Sequence, residues 1–153
     1  MANIFYNTGK QEIINRTIDL INDTLKVMLV NASYVANADD DVVDAGGAND
    51  PVDHEITATN YARGWGASGR KSLSSKAINQ DDTNDRSEFD AADLTWTALG
   101  GAANDTVAAA ILIKEGGAND TTSRLIAYFD IPNTPTNGGD FTLQWNAEGL
   151  LQF

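Results

Sequence analysis

The sequence predicts a single mainly-β domain: a β-sandwich, jelly roll or barrel of about eight short strands, with one short N-terminal helix. Three observations carry that expectation. Short runs of apolar residues alternate with polar ones, clusters of Gly, Asn and Asp separate those runs, and only one stretch spaces its apolar residues as a helix does. A chain of 153 residues fits one domain and buries roughly 70% of its unfolded surface. Residues 1–153 are therefore read as one unit, with 1–8 as an N-terminal arm.

The helix is expected first. Asn7 or Thr8 caps it, Glu12 lies in its first turn, and Ile13, Ile14, Ile18 and Ile21 keep roughly helical spacing up to a stop at Asn22-Asp23. Strand signals follow. Leu25, Val27 and Leu29 alternate with Lys26, Met28 and Val30. Residues 107–113 are apolar on both faces, and the Gly/Asn/Asp clusters at their ends mark a central strand covered on both sides. Residues 125–131 place Leu125, Ala127, Phe129 and Ile131 on one face. Phe141, Leu143 and Trp145 alternate with Thr142, Gln144 and Asn146. Weaker strand patterns occupy 56–61, 70–78, 86–89, 94–97 and 149–153.

A local repeat punctuates the chain: Gly-Gly-Ala-Asn-Asp at 46–50 and 116–120, with a near copy at 100–105. Its unequal spacing excludes a solenoid. Gly and Asn accept positive φ and Asp bonds its own backbone, so these are loop tips between strands.

Charge is distributed in blocks. Residues 37–55 carry seven acids and no Lys or Arg. Residues 57–80 carry no acid but contain Arg63, Arg70, Lys71 and Lys76. A second acidic block follows, with Asp81, Asp82, Asp85, Glu88, Asp90 and Asp93 against Arg86 alone. The net charge of −12 opposes non-specific nucleic-acid binding, which depends on Lys and Arg neutralising phosphates. It equally opposes an anionic membrane surface. The first ten residues show no apolar run behind a charged start, so no signal peptide is expected and the protein is made in the cytoplasm.

Catalysis finds little support. The chain has no Cys and one His, His54, set between Asp53 and Glu55. No second His is present for a metal, and no G-x-S-x-G elbow or Walker loop occurs. Calcium-loop patterns fail as well: Asp44 stands where Gly is required after Asp39 and Asp41, and Arg86 does so after Asp81 and Asp85. No catalytic residue, cofactor or metal ligand is assigned. The expectation is a protein that is not an enzyme.

Protein contact is the better-supported role. Tyr61 and Trp65, among Arg63, Arg70 and Lys71, combine aromatic and Arg side chains on a glycine-rich loop, the composition of an interface hot spot. The same aromatics suit a glycan. The alternative is a Trp packed on its own domain. Ile4, Phe5 and Tyr6, ahead of the helix, are the expected arm contacts, because an extended arm adds a strand to a partner's sheet edge. The basic stretch of one copy is expected to face an acidic block of the next, closing a ring of identical subunits.

The segments "IDLINDTLKVMLVNASYV" (18–35), "EFDAADLTW" (88–96) and "PTNGGDFTLQWNAEGLLQF" (135–153), in that order behind a short helix, resemble a family of small structural proteins of tailed-phage virions. The closing "GGDFTLQWNAEGLLQF" is the most specific part. The resemblance implies a virion component, a capsid decoration (cement) protein on the outer shell, whose partners are the major capsid protein or other virion proteins. It also implies a trimer. The alternative is a tail, fibre or head-fibre component that touches a host glycan. The long acidic Gly-Ala-Asn-Asp loops depart from the family pattern.

Overall fold

The computed structural model describes residues 3–153, with side chains from Ile4 onward. It is mainly β, with one α-helix and ten strands in antiparallel sheets, arranged like a sandwich. Strands β1 (Asn3–Phe5), β8 (Arg124–Pro135), β7 (Thr106–Lys114), β2 (Leu25–Val30) and β3 (Lys71–Ser72) lie side by side in that order. A second sheet runs β10 (Leu151–Gln152), β5 (Arg86–Asp90), β4 (Ala77–Asp81), and a third pairs β6 (Leu94–Leu99) with β9 (Gly139–Leu143).

The large sheet is covered on both faces, which explains the apolar runs at 27–30 of β2 and 107–113 of β7. On one face Leu25, Val27, Leu29, Ala110 and Leu112 pack in one cluster with Phe89, Trp96, Leu143 and Leu151 of the smaller sheets. On the other, Met28, Val30, Ile111 and Ile113 meet Tyr6, Tyr34 and Val43. Loop 31–55, with seven acids in its later part, therefore lids the second face. It turns Tyr34 and Val43 inward and leaves most of its carboxylates wet.

Register irregularities decide which side chain faces which cluster. Leu112 pairs with Ala127 and Ile113 with Leu125, so Ile126 is an extra residue in β8. Such a bulge flips the alternation. Leu125 consequently joins the second cluster while Ile126, Ala127, Phe129 and Ile131 stay with the first. The expected single face for Leu125, Ala127, Phe129 and Ile131 is thereby corrected.

The helix α1 (Asn7–Ile14) is shorter than the isoleucine spacing implies. Neither Asn7 nor Thr8 caps it; Tyr6 is the cap residue, and its side chain makes no capping bond. Asn7 instead donates its backbone N–H to Ala38 O (2.9 Å) and its amide to Asp39 Oδ1 (2.7 Å), fastening the helix start to the lid. Arg16 at φ 61° ends the helix, turns Ile18 into the core and leaves Ile14 79% exposed. Gly9 allows the helix to touch the sheet: a Cβ there would lie 2.8 Å from Ile126 Cα.

Of the weaker strand patterns, 86–89, 94–97 and 149–153 fall on β5, β6 and β10, and 70–78 contains β3 and the start of β4. Residues 56–61 form no strand: a 3-10 turn at Pro51–His54 precedes them, and the Val30–Glu55 bridge, Ile56 N–H to Leu29 O (3.0 Å) and Leu29 N–H to the Tyr61 hydroxyl (3.0 Å) hold that region to β2.

The expected N-terminal arm is also corrected. Ile4, Phe5 and Tyr6 continue the large sheet, with Ile4 opposite Tyr128 and Phe5 opposite Ala127. Tyr6 N–H bonds Ile126 O (3.0 Å), and its side chain is fully buried. Apolar residues bury more surface against β8 than in solvent, so this chain uses them itself. Met1 and Ala2 of that arm lie outside the described residues.

Candidate functional site

Loop 61–70 joins two different environments. Its two ends are interior and its tip is a surface. At the far end stands Arg70, 2% exposed, with its guanidinium ringed by carboxylates. Nε and Nη2 donate to Glu55 Oε1 (2.9 Å) and Oε2 (2.8 Å). Nη1 and Nη2 donate to Asp120 Oδ1 (2.6 Å) and Oδ2 (3.0 Å). Glu115 Oε1 approaches Nη1 at 3.6 Å, and its other oxygen pairs with Lys26 Nζ at 2.6 Å. Burial by itself would push the guanidinium pKa down. The hydrogen bonds and charges of Glu55 and Asp120 outweigh it and hold Arg70 above its ordinary value.

Tyr61 belongs to the same network. Its hydroxyl donates to Glu55 Oε1 (2.9 Å) and accepts from Leu29 N–H (3.0 Å). Burial first, and then the neighbouring Glu55 charge, raise its pKa well above the usual value. Tyr61 and Arg70 are thus corrected as contact residues: both are closed inside this chain, where an unpaired hydroxyl or guanidinium would be costly. The proposed Tyr61–Trp65 pair for a glycan is not presented together.

Trp65 is presented. It is 44% exposed at the loop tip, yet its indole N–H donates to Gly116 O at 2.8 Å. The backbone on either side is anchored by the same carboxylates: Gly64 N–H to Glu55 Oε2 (2.9 Å) and Gly66 N–H to Glu115 Oε1 (3.2 Å). Gly64 (φ 95°) and Gly66 (φ 69°) supply the left-handed backbone that this turn requires. Arg63 is also at the surface, its guanidinium donating to Val52 O (2.6 Å) and Thr57 Oγ1 (3.3 Å). Lys71 is half-buried on β3, with Nζ 5.9 Å from the Trp96 ring centre. The structure therefore brings Trp65 and Arg63 to one exposed loop and takes Tyr61, Arg70 and Tyr6 away.

Glu55, Glu115 and Asp120 are the residues that sequence reasoning did not single out. Among 22 acids no spacing distinguishes them, and Asp120 closes one of the Gly-Gly-Ala-Asn-Asp repeats, whose other copies accept from backbone N–H groups. Asp50 accepts from Ala45 and Gly47 N–H, and Asp105 from Thr57 and Thr106 N–H. Those two repeats are loop tips as expected; in the third, the aspartate turns inward to Arg70.

The remaining concave surface is modest and divided among several clefts, one of about 360 Å³ being lined by Gln80, Asp81, Asp82, Asp85, Arg86 and Phe153. A cleft of about 220 Å³ between β1 and the 146–152 stretch is lined by Ile4, Phe5, Phe129, Leu150, Leu151 and Gln152, with no titratable group. Among the described residues no group of three or more His, Asp or Glu converges as a metal site. His54 lies beside Tyr34, ring centres 6.0 Å apart. Comparison with protein-family models, with curated proteins and with solved structures gives no match.

Proposed function

We propose that this chain is a structural protein of a tailed-phage virion, a capsid decoration protein that binds the outer shell through protein–protein contacts. The observation that carries a binding role is the Trp65 tip. An exposed indole whose N–H is already bonded, on a turn pinned by Glu55 and Glu115, loses little conformational freedom when a partner covers it. Rigid aromatic anchors beside an Arg are the residues that dominate interface energies. The virion assignment is supported by the resemblance of 18–35, 88–96 and 135–153 to small phage structural proteins. A shell multiplies a weak contact many times, so one anchor per subunit suffices there.

Labelling this protein on purified phage particles tests the reading. Signal spread evenly over the shell is expected. Signal confined to one vertex or the tail would replace decoration by a tail or fibre role, and absence from the particle would remove the virion reading altogether. On shells, Trp65→Ala is expected to lower occupancy at least tenfold, while the chain stays folded with only the modest fall in melting temperature that loss of the Gly116 bond brings.

A further inference from the structure

Strand β4 ends its sheet: β5 lies on one side of Ala77–Asp81, and no strand among the described residues lies on the other. The direction of its free backbone groups follows from β5. Ser87 N–H bonds Phe153 O (3.1 Å) and Phe153 N–H bonds Ser87 O (3.0 Å), so both polar groups of Ser87 point to β10 and away from β4. Gln80, paired opposite Ser87, therefore turns its own N–H and C=O outward, and by alternation Ile78 does the same. The register from Ala77–Asp90 to Asp81–Arg86 is unbroken, so no bulge disturbs that edge. The strand carries neither Lys nor Pro, the residues that commonly blunt exposed edges, and Ile78 is 55% exposed on it.

We infer that β4 pairs antiparallel with β4 of a second copy about a two-fold axis at Asn79. In that register Ile78 of each copy stands opposite Gln80 of the other. Their outward groups form four hydrogen bonds, N–H of each to C=O of the other, at both ends of the axis. The flanking residues select this register. Two steps out, Ala77 meets Asp81, a neutral residue against a carboxylate that Arg86 already holds at 3.2 Å. Three steps out, Lys76 meets Asp82, opposite charges at both ends of the symmetric pair. Lys76 also hydrogen-bonds Asp23 O in its own chain, which positions it at the start of the strand. A second copy is the occupant because the segment complements itself in both hydrogen bonding and charge. Five residues of edge are a small interface, so the pairing is weak in dilute solution. The inference rests on the edge alone and is independent of the virion reading.

Sedimentation equilibrium of the full chain up to about 1 mM, a range that covers weak association, tests it. A dimer that dissociates on dilution is expected, with the Ile78 and Gln80 amides slow to exchange hydrogen only at high concentration. Gln80→Pro removes an outward N–H and, within the chain, only the exposed side-chain bond to Asp82 Oδ1 (2.6 Å), so it should abolish the dimer and move the melting temperature little. Lys76→Glu or Asp82→Lys alone should each weaken association roughly tenfold, and the two together should restore it. A monomer throughout the range, or a dimer indifferent to Gln80→Pro and to the charge exchange, overturns the inference.

Discussion

Arg70 and Glu55 meet through paired hydrogen bonds of 2.9 and 2.8 Å, with both side chains sealed from solvent. One belongs to the basic stretch and the other ends the first acidic block, so the charge alternation is joined here within one chain. Asp120 closes the guanidinium from the opposite side, which ties loops 55–70 and 115–123 to each other. Charge pairing between subunits through Arg70 is thereby excluded: four of its five N–H donors are bonded within the chain, and Nη1 also faces Glu115 at 3.6 Å.

Removing Arg70 should cost far more than removing a surface charge. Arg70→Met leaves Glu55 and Asp120 buried without a counter-charge, a change of about 3–5 kcal/mol in such settings. Urea denaturation of the variant should show the midpoint fall by that free energy. A loss below about 1 kcal/mol, the range of exposed pairs, would mean that the network is solvated.

Gly69 should tolerate no side chain. A Cβ there would stand 2.3 Å from Ala62 O and 2.9 Å from the Tyr61 ring, and Gly69 O accepts Trp96 Nε1–H. Backbone cannot yield as a flexible side chain does, so Gly69→Ala should destabilise by about 1–3 kcal/mol. Calorimetry should place its melting temperature below that of Gly64→Ala, whose added methyl meets nothing and whose only penalty is its positive φ.

The N-terminal residues are expected to be needed for folding. Tyr6 is fully buried, and its hydroxyl meets that of Tyr34 at 2.9 Å. Tyr6→Ala should lose about 3–5 kcal/mol, the cost of truncating a buried aromatic. Tyr6→Phe should lose about 1 kcal/mol, because Tyr34 keeps its bond to Asp40. Circular dichroism melts of the two variants separate these outcomes.

Alkaline pH should act through tyrosine. All four tyrosines have raised pKa values, in each case chiefly because burial penalises the phenolate. A raised acid contributes stability that is complete below its unfolded pKa, near 10, and is lost as pH climbs beyond it. Stability should therefore decline from about pH 10 upward, and phenolate absorbance at 295 nm should appear together with unfolding. Native-fold phenolate signal near pH 10 from more than the half-buried Tyr128 would contradict the burial of Tyr6, Tyr34 and Tyr61.

At the acid end Asp23 gives the opposite sign. The hydrogen bond from Lys114 (2.6 Å) is the main reason its pKa is lowered. Its contribution is present above the unfolded value, near 4, and fades as pH falls through the folded one. Asp23→Asn should flatten the acid limb of a stability–pH curve below about pH 4 and leave the alkaline limb unaltered.

Much of the fold was legible because periodicity is local. The run Leu25–Val30 became β2 at both expected bounds, and the doubly apolar 107–113 became the central β7. Both follow from how often apolar residues recur, which depends only on neighbours along the chain. The helix misled because Ile18 and Ile21 keep helical spacing past Arg16, whose positive φ is a property of the folded loop. Of the contact residues, Trp65 and Arg63 reached the surface, whereas Tyr61 and Arg70 did not.

The sequence by itself determined the mainly-β class, the principal strands and the glycine-rich tips, all consequences of short-range pattern and backbone permissiveness. Tertiary structure alone decided that the bulge at Ile126 sends Leu125 to the opposite face, that Ile4, Phe5 and Tyr6 serve the chain's own sheet, and that Asp120 joins Arg70 from 50 residues away. The reason is that burial and charge pairing are settled between distant segments. A carboxylate or tyrosine carries no local mark of whether a guanidinium or water will meet it.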